Sequence, residues 1–256
     1  MTDRVAFVTG GTSGIGRAVV EGFARGGMAV SFVGRNVERG ESIVRSADRI
    51  MFTSGDVTRA EDVQRAVART VDRFGRIDCA VNAAASLEAA SFRRTADISE
   101  ADYDLAMSAN LKSAWLCLRA EIQTMLAAGN GGAIVNVSSI NGLGGVPENA
   151  LYAAAKAGVH ALTKSAALEY AAQRIRINAV AFGTFRTPML EGVMRHYAGG
   201  DNVSEIESQL AAMIPLGRIG DPAEAAAVAI WLCSDEASYV TGHTMIVDGG
   251  VTAPYR

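Results

Sequence analysis

Cysteine, proline and histidine are all scarce in this chain of 256 residues. There are three cysteines, five prolines and three histidines. The cysteines (Cys79, Cys117 and Cys233) stand far apart, without the paired spacing of disulfide or metal-binding frameworks. We therefore expect buried, reduced thiols and a cytoplasmic location. The histidines are too dispersed to predict a metal site.

A strong charge of one sign and long hydrophobic runs are missing too. The net charge is −3, with 24 basic and 27 acidic residues, and no cluster of Lys or Arg indicates a nucleic-acid surface. The apolar run at residues 5–8 is too short for a signal sequence or a membrane span, so no membrane association is expected. The scattered prolines mark no linker, which favours a single domain over residues 1–256.

What the chain does contain is an alternation of short apolar runs with longer helical patterns. Hydrophobic residues make up 49% of it and charged residues 20%, enough to build a large core. Strands joined by crossover helices predict a doubly wound, Rossmann-like α/β fold with a seven-stranded parallel sheet and helices on both faces. The predicted strands are residues 5–9, 29–33, 50–53, 77–81, 133–137, 175–181 and 244–247.

One segment, residues 187–216, departs from this alternation. It follows the sixth predicted strand and would lie beside the carboxyl ends of the strands, where ligands bind in such sheets. We interpret it as a substrate lid, with a plain surface excursion as the alternative.

A glycine-rich turn follows the first predicted strand and leads into a helix. Its glycines allow a phosphate to approach backbone N–H groups at the helix N-terminus. The spacing is Gly-x-x-x-Gly-x-Gly, so by itself the turn could also be one that binds nothing. The candidate cofactor-binding residues in the turn are Gly10, Thr12, Ser13, Gly14, Ile15 and Gly16.

The end of the second predicted strand bears on which dinucleotide binds. An acidic residue there would accept a hydrogen bond from the ribose 2′-hydroxyl of NAD, whereas an arginine suits the 2′-phosphate of NADP. The residues are Gly34-Arg35-Asn36. Arg35 therefore favours NADP(H), with NAD(H) still possible and a solvated loop charge as the alternative.

Tyr152 and Lys156 are four residues apart in an alanine-rich helical stretch, which places them on one helix face. A phenol becomes a useful acid or base when a cation lies near it. Ser139 falls at the end of the fifth predicted strand, beside the expected ligand crevice. Taken alone, the Tyr152–Lys156 pair could have arisen by chance, and Ser139 could be an ordinary residue at a strand end.

Taken together, these motifs make the sequence resemble the short-chain dehydrogenase/reductase family over essentially its whole length. The motifs that carry the resemblance occur in the order expected for that family. They are residues 9–16, 55–57 and 82–85, Asn110, Ser138-Ser139, residues 152–156, 178–187 and 248–250.

The resemblance implies roles for particular residues. Tyr152 would donate and accept the proton, and Ser139 would polarise the substrate oxygen. Lys156 would lower the pKa of Tyr152 and hold the nicotinamide ribose, while Asn110 would anchor a water in a proton relay. Further cofactor contacts are implied for Asp56, Val57, Asn82, Ala83, Ala84, Phe185 and Thr187.

Two residues differ from the family pattern. Ala85 stands where a glycine is usual, and Phe182 stands where a proline is usual. We expect an altered pocket or cofactor affinity, with catalysis retained.

The resemblance predicts an oxidoreductase that interconverts a secondary alcohol and a ketone, acting as a homotetramer or homodimer on a small molecule. The alternatives are a 3-oxoacyl-thioester reductase of the acyl-carrier-protein type and a catalytically silent dinucleotide sensor. Enoyl reduction is disfavoured, because relatives with that activity have a wider Tyr–Lys spacing. Besides Ser139 and Tyr152, the predicted pocket residues are Asn141, Leu143, Val146, Asn149, Met189, Met194, His196 and Tyr197.

Overall fold

The computed structural model describes residues 4–45, 49–87, 92–198 and 202–253. Its centre is a seven-stranded sheet in the order β3-β2-β1-β4-β5-β6-β7, with every neighbouring pair parallel. The strands are β1 Val5–Thr9, β2 Ala29–Gly34, β3 Ile50–Ser54, β4 Cys79–Asn82, β5 Gly132–Ser139, β6 Ile175–Phe182 and β7 Thr244–Val247. The predicted fold class is confirmed.

Helices cover both faces of the sheet. In the described ranges they are α1 Gly14–Arg25, α2 Val37–Val44, α3 Ala60–Phe74, α4 Glu100–Met107, α5 Ser113–Ala128, α6 Ala150–Tyr170, α7 Pro188–Tyr197, α8 Val203–Met213 and α9 Pro222–Cys233. Helices α1, α2 and α9 contribute to the core on one face. Helices α3, α5 and α6 contribute to the core on the other.

The apolar strand runs follow from this double covering. Every residue of β1 is buried, and so is every residue of β2 and β4. A strand buried on both sides has no need of a polar face, so its sequence does not alternate. That is why short continuous apolar runs located the strands, with errors of one or two residues at their ends. For example, β4 begins at Cys79, although the buried Ile77 was predicted to start it, and β5 ends at Ser139, two residues after its predicted end.

The order of the sheet also fixes where a ligand can bind. Strand β1 pairs with β2 on one side and with β4 on the other. The chain therefore winds in opposite directions from β1, which opens a crevice at the carboxyl ends of the strands. Helices α7 and α8 lie within the segment 187–216 that was predicted to be a lid. Residues 199–201 of that segment are outside the described residues.

The three cysteines are buried and free. Although they are distant in sequence, Cys79 and Cys233 are in contact: the thiol of Cys79 donates to the backbone carbonyl oxygen of Cys233 over 3.5 Å, and Arg4 donates to the sulfur of Cys79 over 3.1 Å. Among the described residues, none of the helices combines the length and the apolar character that crossing a membrane requires.

Candidate active site

A cleft of about 710 Å³ opens at the carboxyl ends of the strands. It is bordered by the glycine-rich turn, the ends of β2, β4, β5 and β6, and the start of α6 and α7. The predicted site residues that line it are Gly10, Thr12, Ser13, Gly14, Ile15, Gly16, Arg35, Asp56, Val57, Ala83, Ala84, Ser139, Asn141, Asn149, Tyr152, Lys156, Phe185, Thr187 and Met189.

The glycine-rich turn forms a backbone cradle that side chains would fill. Gly10 and Gly14 have φ angles of +69° and +52°, in the left-handed region that favours glycine. A Cβ on Gly16 would lie 2.4 Å from the carbonyl oxygen of Gly10, which is far inside van der Waals contact. Because the turn opens directly into α1, exposed N–H groups and the positive end of the helix dipole meet there. The cradle therefore fits a dinucleotide phosphate.

Beside the cradle, the end of β2 presents arginine and no carboxylate. A Cβ on Gly34 would lie 2.7 Å from Cγ2 of Thr12, so the strand end packs too tightly for a side chain at that position. Arg35 follows directly and lines the cleft, as does Arg39 on the first turn of α2. Arg39 was not among the predicted cofactor residues; the available signal was its place in the first turn of the helix that follows β2, at the ligand end of the sheet.

The predicted adenine contacts lie on the same side of the cleft. Val57 is buried and lines it, together with Asp56. The carboxylate of Asp56 accepts hydrogen bonds from the backbone N–H and the hydroxyl of Thr58, at 3.0 and 2.9 Å. The backbone N–H of Asp56 donates to Asp62. These bonds hold the turn after β3 in one conformation.

Asn82 lies below the cleft and does not line it. Its amide nitrogen donates to Glu121 over 2.9 Å and to Asn136 over 3.1 Å. Asn136 in turn donates to Thr163 on α6. Asn82 therefore ties the end of β4 to α5, β5 and α6, beneath the strand end that leads into Ala83. Asn82 supports the cleft from below in this arrangement, and its direct contact with a cofactor stays a prediction.

Tyr152 and Ser139 meet in the cleft. Tyr152 is the third residue of α6 and is only 7% exposed, and Ser139 is the last residue of β5. Burial raises the pKa of Tyr152 to about 12, although a hydrogen bond with Ser139 acts in the opposite direction. The expectation of a lowered pKa for Tyr152 is not met in the protein alone, because burial disfavours the charged phenolate.

Lys156 is buried one helical turn after Tyr152. Its ammonium nitrogen lies 5.5 Å from the centre of the Tyr152 ring and donates to the carbonyl oxygen of Val137 over 3.1 Å. Burial lowers the pKa of Lys156 to about 8. The cation is therefore anchored to β5, next to the phenol that it was expected to assist.

Asn110 occupies an irregular helical turn between α4 and α5. Residues Ser108–Lys112 form a π-helical turn, a rare distortion that often accompanies functional sites. The amide of Asn110 accepts from the N–H of Ser86 and donates to its carbonyl oxygen, at 3.1 and 2.9 Å. Asn110 is buried and, in the part of the chain that is described, is not among the cleft residues. It holds the cleft residue Ser86 in place.

The end of the cleft beside α7, where the substrate pocket was predicted, is lined mostly by apolar side chains. Asn141, Asn149, Met189 and Tyr197 line it as predicted. The prediction was wrong for Met194, which is only 2% exposed because it lies on the inner face of α7. Within the described ranges, Leu143, Val146 and His196 also do not line the cleft. Apolar lining residues that were not predicted include Leu87, Phe92, Leu190 and Val193.

The two departures from the family pattern both border the cleft. Ala85 is not among the residues with positive φ, so its methyl group introduces no backbone strain. Phe182 is buried against Phe185, with ring centroids 5.2 Å apart and an interplanar angle of 77°. Phe182 therefore builds part of the cleft wall.

Among the described residues, no group of three or more His, Cys, Asp or Glu side chains is arranged to hold a metal ion. The chemical groups that converge on the cleft are instead a phenol, a hydroxyl, an ammonium and a phosphate cradle. This arrangement defines a dinucleotide-dependent oxidoreductase.

The comparison with known families agrees with this class. A family model described as enoyl-(acyl carrier protein) reductase matches residues 10–252. The chain belongs to the short-chain dehydrogenase/reductase family. It is therefore an oxidoreductase that acts on alcohol and carbonyl groups with a nicotinamide cofactor.

Relatives share the full length of the chain. The chain is 43% identical to an A-factor type gamma-butyrolactone 1′-reductase of Streptomyces virginiae over 256 residues, covering 98% of this chain and 96% of that protein. It is 39% identical to a 2,5-dichloro-2,5-cyclohexadiene-1,4-diol dehydrogenase of Sphingobium indicum, covering 99% and 98%.

Two solved structures are similar as well. Levodione reductase has a TM-score of 0.93 at 36% identity, with both chains fully covered. A variant of actinorhodin polyketide ketoreductase, solved with NADPH, has a TM-score of 0.91 at 30% identity and covers 97% of each chain.

Proposed function

We propose that this enzyme interconverts a small, neutral ketone and its secondary alcohol with NADP(H), and that Tyr152 moves the proton. The observation that carries this proposal is that Tyr152 and Ser139 both line the cleft and are close enough for the side chain of Ser139 to lower the pKa of Tyr152. It supports a pair of hydroxyl groups that can both reach one substrate oxygen. A catalytically silent sensor would have no use for such a pair.

In the reductive direction, the residues of the chain handle the oxygen. When bound at the glycine cradle, a nicotinamide cofactor would supply the hydride for the carbonyl carbon, or would accept it in the reverse reaction. Ser139 donates a hydrogen bond to the carbonyl oxygen, and Tyr152 transfers its phenolic proton to that oxygen as negative charge develops. A pKa of about 12 keeps Tyr152 protonated and ready to donate at neutral pH.

In the oxidative direction, Tyr152 must accept a proton, so its phenolate needs stabilisation. Lys156, 5.5 Å from the ring centre, is the nearby cation with the right charge. We propose that it also holds the nicotinamide ribose. Asn110, which fixes Ser86 at the cleft, supports a water-mediated path by which the proton would leave.

The preference for NADP(H) rests on two guanidinium groups. Arg35 and Arg39 both line the cleft beside the glycine cradle, and arginine pairs with phosphate through parallel hydrogen bonds. A side chain at Gly34 would meet Thr12, so no carboxylate fits at that position, and the next position holds Arg35 in place of an acidic residue. The polyketide ketoreductase with a similar fold was solved with NADPH. We expect Asp56, Val57 and the residues of the cradle to hold the rest of the nucleotide.

We propose carbonyl reduction in preference to enoyl reduction, because the Tyr152–Lys156 spacing is four residues. An acyl-carrier-protein substrate would need basic residues near the active site, and the candidates are Arg174 and Arg176. Their positions argue against a carrier-bound thioester. Arg174 donates to Gly129, and Arg176 donates to Leu232, Ser234 and Val240.

Both arginines flank the first residue of β6, which is the end of the strand opposite the cleft. They are therefore not placed to receive an acidic carrier protein at the active site.

The lid and the oligomer are part of the same proposal. Helices α7 and α8 follow β6, and residues of α7 line the substrate end, which supports a lid.

Large apolar side chains are exposed on α4, α5 and α6: Leu105 is 58%, Trp115 43% and Leu168 84% exposed. Such surfaces support a homotetramer or homodimer.

The experiment is a fluorescence titration of the purified protein with NADPH and with NADH, followed by turnover of the bound cofactor with a panel of small ketones. We expect tighter binding of NADPH and oxidation of it by at least one ketone. Equal binding of the two nucleotides would remove the NADP(H) preference, and oxidation of NADPH by enoyl thioesters alone would contradict carbonyl reduction.

A further inference from the structure

Three aromatic rings meet at the substrate end of the cleft. Phe92 follows β4 along the chain, whereas His196 and Tyr197 are the last two residues of α7. The rings of Phe92 and His196 are stacked, with centroids 4.1 Å apart and an interplanar angle of 16°. Tyr197 meets Phe92 edge-on, at 5.6 Å and 78°. We call these three residues the aromatic bridge, because they join two separate segments of the chain.

The aromatic bridge borders the space where the substrate must lie. Phe92 and Tyr197 both line the cleft, together with the apolar side chains of Leu87 and Val193. His196 is exposed and stacks on the ring of Phe92, but within the described residues it does not itself line the cleft. Phe92 therefore has the cleft on one side and a stacked ring on another.

Stacking restricts where the ring of Phe92 can sit. Phe92 is only partly buried, so without His196 more of its surface would face solvent and less would fix its orientation. Offset-stacked and edge-on ring pairs contribute beyond the burial of their area. Contact with two rings of α7 thus gives the cleft a wall that is flat, apolar and held in position. Walls of this kind suit the face of a ring better than a flexible chain.

We propose that Phe92 is a specificity-determining residue held in place by His196. Through it, the aromatic bridge selects compact substrates, with the oxo group on a ring, over ketones carried on a long alkyl or acyl chain. A long chain would have to pass the point where Phe92 meets His196 and Tyr197 of α7. This inference rests on the proposed function, because it assumes that a ketone reacts at Tyr152.

The test compares two ketones in the full-length enzyme with NADPH. One is the ring compound cyclohexane-1,4-dione, and the other is the chain compound 2-decanone. The variants are Phe92→Ala, which removes the wall, His196→Ala, which removes its support, and His196→Phe, which keeps a stacking ring. Phe74→Ala serves as the matched control, because Phe74 is a half-buried ring at the end of α3, away from the cleft.

For each protein, kcat and KM are measured for both ketones, and KM is measured for NADPH. Phe92→Ala and His196→Ala should lower the ring-to-chain ratio of kcat/KM by roughly three- to tenfold, the range expected for the loss of one aromatic pair. The change should come mainly from a higher KM for the ring ketone. His196→Phe should retain the wild-type ratio, and Phe74→Ala should not alter it. The KM for NADPH should stay the same throughout.

An unchanged ring-to-chain ratio in His196→Ala would overturn the inference, even if Phe92→Ala did not fold, because His196 is an exposed side chain. An equal loss in His196→Phe and His196→Ala would also overturn it, since stacking would then not be the cause. If the wild-type enzyme bound NADPH but reduced neither these nor any other ketone, the proposed function itself would fail. Failure of the proposed function would be seen with the wild-type enzyme alone, whereas failure of the inference would be seen only in the variants.

Discussion

Ser139 and Tyr152 are neighbours in the cleft, where the end of β5 faces the start of α6. Because the side chain of Ser139 lowers the pKa of Tyr152 against the effect of burial, we expect Ser139 to act on the proposed proton donor as well as on the substrate. Ser139→Ala should therefore reduce kcat by about 10²- to 10³-fold, as for the loss of a hydrogen-bond donor to a developing oxyanion. Steady-state kinetics with unchanged NADPH affinity would verify this, whereas an intact kcat would show that Ser139 is only a strand-end residue.

Arg35 should determine the choice of nucleotide. Arg35→Asp replaces a phosphate-binding guanidinium by a carboxylate that repels the 2′-phosphate and accepts from a 2′-hydroxyl. The NADPH-to-NADH ratio of kcat/KM should fall by about tenfold or more, as expected for the loss of a charged hydrogen bond. The ratio of the two kcat/KM values is the measurement.

Arg39→Ala provides the comparison within the same site. It should lower the same ratio by a smaller factor, because no new carboxylate is introduced. If Arg35→Asp left the ratio as it is in the wild type, Arg35 would be a solvated loop charge.

The glycine cradle should not tolerate a side chain at Gly16. In Gly16→Ala, the new Cβ would lie 2.4 Å from the Gly10 carbonyl oxygen, so the turn must move and its N–H groups lose their alignment. We expect NADPH affinity to fall by about tenfold or more, on the scale of one lost charge-assisted hydrogen bond. Gly192→Ala is the matched control, because a Cβ there would meet nothing within 4 Å. Equal affinities of the two variants in a fluorescence titration would contradict the cradle.

The buried carboxyl group of Glu121 should make stability depend on pH. Burial raises its pKa from 4.5 to about 8, so between these pH values the folded protein holds a proton that the unfolded chain has released. The free energy of unfolding should therefore fall as pH rises through this range and level off above about pH 8. Glu121→Gln has no such proton and should lose this part of the slope.

Urea unfolding at several pH values measures the effect as the difference between wild type and Glu121→Gln. The matched control is Glu169→Gln, because Glu169 is exposed near the end of α6. Its difference from wild type should not follow the same course. A constant difference for Glu121→Gln from pH 5 to pH 9 would mean that the buried group does not titrate as expected.

The fold was predictable because its signals are local. Strands buried on both faces appear as short apolar runs, and the glycine-rich turn lies directly between β1 and α1. The positions of Ser139, Tyr152 and Lys156 followed from the ends of elements and from helical spacing. These features need only a few neighbouring residues to be recognised.

What the sequence did not reveal depends on contacts between distant segments. The hydrogen bond of Asn82 to Glu121, the stacking of Phe92 on His196 and the contact of the Cys79 thiol with the carbonyl oxygen of Cys233 each join separate elements. The direction of the Tyr152 pKa shift was also hidden, because it reflects how deeply α6 is buried. No spacing rule encodes such contacts.

The central claim is that Tyr152 is the proton donor, and single-turnover oxidation of prebound NADPH by a ketone tests it most directly. Wild-type enzyme and Tyr152→Phe are loaded with NADPH, mixed with the ketone, and followed by the loss of cofactor absorbance. We predict that both proteins bind NADPH equally, and that the variant reacts at least about 10²-fold more slowly, the usual size of general acid catalysis. Oxidation at the wild-type rate in Tyr152→Phe would contradict the account.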